Sequence, residues 1–165
     1  MPSLDQSFNE LLTRLQHGAD AMPTGVEPIY YLIFDPSDIL TVKRRQTAWQ
    51  AKLRNDGWNV HTFSMAQAVN DILTTVPQRK LWLTADATAP QNWARTNQAL
   101  ANALNKGSLR DRLAAELQAL AEESHPLLLV TDLEALHPYL RIGTIEAQLY
   151  GKFTVPTVFF YPGKR

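Results

Sequence analysis

Two aspartates stand at the ends of apolar runs. Asp35 closes IYYLIFD, residues 29–35, and Asp132 closes PLLLVTD, residues 126–132. In a parallel α/β sheet the ligand crevice lies outside the carboxyl ends of the strands. An acid there can hold magnesium for phosphoryl or phosphodiester chemistry. Asp38 and Glu134 follow closely and would extend such a site. The same acids have a plainer use: Asp35 precedes a proline and caps the next helix, while Asp132 closes a turn.

A nucleotide site needs more than acids. Phosphates are cradled by glycine-rich backbone ahead of a helix, with lysine and a hydroxyl in fixed places. The matching stretch after the first apolar run reads FDPSDILTVKRR and holds no glycine, and no G-x-x-x-x-G-K-[ST] occurs anywhere. Half of a nucleotide site is present and the other half is missing, which favours the capping reading of Asp132.

Other groups offer binding rather than catalysis. His137, Tyr139 and Arg141 lie within five residues at the entrance to the same crevice. An arginine there can hold a carboxylate or phosphate bidentately, or pair with Asp132 or Glu134 and pin the loop. TVKRRQTAWQAKLR gathers Lys43, Arg44, Arg45, Lys52 and Arg54 on one helix. That face can grip phosphate backbones or an acidic partner, or simply be solvated. His17, His61 and His125 share no spacing, so neither a metal site nor a catalytic triad assembles from them; His61 reads as a surface or satisfied histidine.

The elements that carry these residues follow from hydrophobic spacing. Leu4, Phe8, Leu11, Leu12 and Leu15 form one helical stripe, with Ser3 and Gln6 as a capping box and Gly18 as the stop. Residues 29–35, apolar on both faces, suit a central strand. A helix from Asp35-Pro36 to about Asn55 precedes a more polar strand, Trp58 to Ser64, nearer a sheet edge. Ser64 and Gln67 cap a further helix to about Thr75. The segment RKLWLTADATAP is ambiguous between strand and helical turn. A helix from Gln91 ends at Gly107, Ser108 caps the next, and Leu109, Leu113, Leu117 and Leu120 are its buried stripe. His125-Pro126 opens a third strand, Leu127 to Thr131. Pro138 opens a helix to about Tyr150, and Val155 to Tyr161 is the fourth strand.

Strands alternating with helices predict a single α/β domain over residues 1–165. The expected form is a three-layer sandwich around a mostly parallel sheet of about four to five strands, P-loop-like in topology but without a Walker A loop. Sixteen basic and sixteen acidic residues cancel among the 165, so no long-range field gathers nucleic acid or anionic lipid. The chain has no cysteine, which excludes disulfides, zinc-thiolate sites and cysteine nucleophiles. The N-terminus lacks a signal-peptide core, and no apolar run approaches the ~20 residues of a membrane span. A cytoplasmic location is the expectation.

Four pieces, in order, extend this reading. LDQSFNELLTRL, YYLIFDPSDILTVKR, HPYLRIGTIEAQL and VPTVFFYPG together resemble the BrxB family, a domain of unknown function encoded in bacteriophage exclusion (BREX) anti-phage systems. The similarity covers about residues 3–75 and 126–163; residues 76–125 match poorly. Pro138, Arg141, Leu149 and FFYPG at 159–163 are its most specific elements. Family members usually continue past the Pro-Gly turn, so the resemblance implies a C-terminally shortened chain. It also implies a non-enzymatic role without a cofactor. The implied partners are the PglZ alkaline-phosphatase-like protein, with the BrxC ATPase and the BREX methyltransferase as further candidates. On that reading His137, Tyr139 and Arg141 are the first docking residues, Lys43, Arg44 and Arg45 the second, and any DNA contact is indirect. Magnesium binding by Asp35 and Asp132 remains the competing expectation.

Overall fold

The computed structural model describes residues 3–21, 27–75, 98, 101–102, 104, 107–136 and 141–163. The first helix, α1 (Leu4–Ala21), begins at a reciprocal cap: the Ser3 N–H donates to Gln6 Oε1 at 2.9 Å and the Gln6 N–H donates to Ser3 Oγ at 3.2 Å. It runs through Gly18, the expected stop, to Ala21. Glycine weakens a helix interior by only about 1 kcal/mol, and the tertiary packing of Phe8, Leu11, Leu12 and Leu15 outweighs that.

Strand β1 (Ile29–Phe34) leads through a 3₁₀ turn at Pro36–Asp38 into α2 (Ile39–Asn55). Gly57 follows α2 with φ +98°, a left-handed conformation that lets the chain reverse into β2 (Asn59–Ser64). Helix α3 (Met65–Thr75) then starts directly. Residues 76–97, which include the ambiguous RKLWLTADATAP and the start of the helix expected from Gln91, lie outside the described residues; α4 (Ser108–Leu120) and β3 (Pro126–Thr131) come later. A second 3₁₀ turn (Leu133–Leu136), α5 (Ile142–Gln148) and β4 (Thr157–Pro162) complete the chain.

All strand pairings are parallel, in the order β1-β4-β3-β2. Leu129 of β3 stands opposite Val158 of β4, and Leu32 of β1 opposite Phe160. Alternation then divides the core. Leu32, Phe34, Val60, Leu127, Leu129, Val158 and Phe160 face α1 and α2, where Trp49 stacks on Phe8 with centroids 4.8 Å apart. On the other face Leu128, Val130 and Phe159 meet α3, α4 and α5 through Met65, Ile72, Leu113, Leu117, Ile145 and Leu149. The sandwich is therefore three-layered, as its alternating elements predict.

Three placements differ from expectation. β1, read as central, is an edge of the described sheet; its apolar content serves both cores, and Tyr31 is left 38% exposed. Ser108 does not cap α4: it is the first helical residue, and Gly107, with φ +92°, holds the cap position with no side-chain bond. The last helix begins at Ile142 rather than Pro138, because Arg141 has extended backbone at φ −103°, ψ 140°. β2 is the other edge of the described sheet, in keeping with its polarity. Among the described residues no helix is long and apolar enough to cross a membrane.

Candidate functional site

The carboxyl ends of β1, β4 and β3 lie side by side. Between β1, which exits toward the α2 layer, and β3, which exits toward the α5 layer, the chain leaves the sheet on opposite faces. Such a divergence opens a crevice at the strand ends. A cleft of about 760 Å³ sits there. Its walls are Ile39 at the start of α2, Leu133, Glu134 and Leu136 from the turn after β3, Arg141 and Ile142 before and in α5, and Tyr161 of β4. Neither Asp35 nor Asp132 lines it, although both were expected to face it.

Each aspartate has structural work instead. Asp35 Oδ1 accepts from the Ser37 backbone N–H at 2.9 Å and from Ser37 Oγ at 2.8 Å, which caps the 3₁₀ turn. Asp132 adopts φ +60°, a left-handed conformation that aspartate tolerates better than most residues. Its Oδ2 accepts from Ser64 Oγ at 2.5 Å, and the Lys43 ammonium lies 3.2 Å from Oδ1. Lys43 also lies 2.7 Å from Glu134 Oε1, an oxygen sealed from solvent. One lysine of α2 thus bridges two acids of the loop after β3. The hydrogen bond to Glu134, with the contact to Asp132, raises the Lys43 pKa above its ordinary value against a smaller opposing effect of burial.

This arrangement corrects the expectation that Arg141 pins that loop. Lys43 does so, and Arg141 is exposed and without a side-chain hydrogen bond or ion pair among the described residues. His137 and Tyr139 fall outside the described residues.

The basic helix is largely engaged within the fold. Arg45 pairs with Asp5 of α1, the Arg44 Nε–H donates to Leu40 O at 3.4 Å, and Lys52 Nζ reaches Asn9 Oδ1 at 3.5 Å. A surface that grips phosphates needs free cations, and here Lys43 and Arg45 already hold acids. Among the described residues no three histidine, aspartate or glutamate side chains converge to hold a metal ion. His61 is satisfied: its Nε2 lies 2.6 Å from Glu123 Oε2, which also accepts from Asn59 Nδ2 at 2.6 Å.

Two features had no clear mark in the sequence. The Lys43 bridge joins residues almost ninety positions apart, and only the strand order brings the start of α2 to the end of β3. Tyr31 donates its hydroxyl to Glu146, and burial with that carboxylate raises the phenol pKa far above its usual range. Tyr31 and Glu146 stand 115 positions apart, and nothing in either segment names the other. Comparison with protein-family models, curated proteins and solved structures finds no match.

Proposed function

We propose that the chain is a non-catalytic adaptor of the BrxB type, an assembly subunit of a BREX phage-defence complex. Its chief partner would be the PglZ-like protein, with the BrxC ATPase and the methyltransferase as further contacts. The observation that supports this best is the use made of the acids at the strand ends. Asp35 caps a turn and Asp132 is held by Lys43 and Ser64, which supports the capping and turn roles over the competing magnesium reading. What the same face offers a partner is an apolar cleft with the Arg141 guanidinium on its wall.

Arginines at the centre of an interface often dominate its energy, and a reversed charge facing an acidic partner adds repulsion. Arg141→Glu is therefore expected to weaken association with the PglZ-like protein about tenfold or more. Its melting temperature should stay unchanged, because the side chain has no intramolecular partner among the described residues. Size-exclusion chromatography with light scattering reads both points. The native chain should co-elute with its partner at the summed mass. Separate elution of the native chain would contradict the adaptor reading; equal association of the variant would remove Arg141 from the interface.

A further inference from the structure

The cleft at the strand ends has the make-up of a ligand site in its own right. Its volume of about 760 Å³ lies within the ~300–1,000 Å³ usual for small-molecule pockets. Most of the wall is apolar: Ile39, Leu133, Leu136 and Ile142 come from three different segments and converge on one space. Among the described residues two charged side chains line it, Glu134 and Arg141, and they differ in availability. Glu134 lies 2.7 Å from Lys43, which it shares with Asp132, whereas Arg141 has no acid partner among the described residues. Among the described residues the cleft thus offers a ligand apolar walls and, in Arg141, a guanidinium that holds no acid.

We infer that this cleft binds a small acid: an apolar body of about aromatic-ring size bearing one carboxylate or phosphate, with the anion on Arg141. The body excludes water from the walls, and the planar fork of the guanidinium takes two oxygens at once. Gly143, also on the wall, meets nothing within 4 Å of where a Cβ would stand, so the entrance beside Arg141 is open. The inference is drawn from the cleft alone and does not depend on the adaptor reading.

The test is a titration of the isotope-labelled chain, followed by the amide resonances of Ile142 and Gly143. Four probes are used: N-acetylphenylalanine, its carboxamide, phenyl phosphate and inorganic phosphate. Saturable shifts are expected with at least one of the two aromatic acids, and the tighter one identifies the head group. N-acetylphenylalaninamide, which lacks only the charge, should bind about tenfold more weakly than the free acid if the carboxylate is preferred. Inorganic phosphate should bind more weakly than phenyl phosphate, because it fills none of the apolar space. In Arg141→Gln the preference for acids should vanish while residual binding of the ring persists. The inference is overturned if neither aromatic acid saturates, if acid and amide titrate alike with phenyl phosphate also inert, or if Arg141→Gln keeps the acid preference. Loss of partner association with the titration intact would count against the adaptor reading only.

Discussion

Replacing Phe159 by alanine is expected to lower stability by about 4 kcal/mol, which in a domain of this size moves the melting temperature down by roughly 10 °C. Phe159 is wholly buried on β4, the strand between β1 and β3. Its ring stacks against Tyr31 at 5.7 Å and meets Phe153 edge-on at 6.0 Å. Val130 stands beside it on β3, and the helical layer of α3, α4 and α5 covers it. Truncation loses the transfer free energy of the ring and leaves a cavity lined by fixed neighbours, since a strand held on both sides cannot collapse inward. Thermal unfolding followed by circular dichroism measures this. Phe159→Leu, which retains most of the volume, should recover more than half of the loss. A shift of only a degree or two for alanine would mean that the β4 side chain is not the keystone of that core.

The second large effect is expected at Lys43. Lys43→Met keeps the stem and removes the ammonium, leaving Asp132 and the sealed Glu134 oxygen without their shared counter-charge. A fully buried pair broken from one side costs about 3–5 kcal/mol. Lys43 is 44% exposed in its side chain, so solvent screens the loss and about 2 kcal/mol is the expected figure. The pH dependence has a definite sign. Because the folded-state pKa of Lys43 is raised above 10.5, mainly by its hydrogen bond to Glu134, its contribution is fully present below pH 10.5. It fades only as pH climbs through the higher folded value. The native chain should therefore lose stability in that alkaline window, and the methionine variant should show less of that loss. Chemical denaturation at neutral pH and at alkaline pH separates the two chains. Equal stability of both at neutral pH would show that the bridge contributes nothing.

The sequence carried the layered fold because its signals were local. The capping box at Ser3 and Gln6 is one; the Asp35-Pro36 helix entry and the leucines at 109, 113, 117 and 120 are others. Each depends on neighbours within one or two turns of the chain. What escaped depends on strand order. An apolar β1 reads as central, yet it lies at the edge of the described sheet, where α1 and α2 shelter one side and Tyr31 shows on the other. The start of the last helix escaped for a different reason: proline at 138 is a strong entry signal, but Arg141 takes extended backbone and delays the helix to Ile142.

The site was half legible in the same sense. Asp35 as a cap and Asp132 at a turn followed from residue type and from their place after apolar runs. That Lys43, not Arg141, would pair with the acids did not, since either cation could reach the loop until the sheet order was known. The consequence reaches function. With Lys43 committed to the acids, Arg141 is the cation that the cleft presents among the described residues, and it carries both the proposed docking contact and the inferred ligand site.

The structural role of the strand-end carboxylates is tested most directly by a magnesium-nucleotide thermal shift. Anything that binds the folded chain and not the unfolded one must raise its melting temperature. The native chain and Asp132→Asn would be melted with and without magnesium and ATP or GTP at millimolar concentration. Asparagine keeps the tolerance for positive φ and the Ser64 contact while removing the charge. The expected result is no ligand-dependent shift in either chain, with the variant melting lower by the few degrees that about 1 kcal/mol of lost ion pairing gives. A rise in the native chain on adding magnesium-nucleotide, abolished in Asp132→Asn, would contradict the account and make this crevice a nucleotide site.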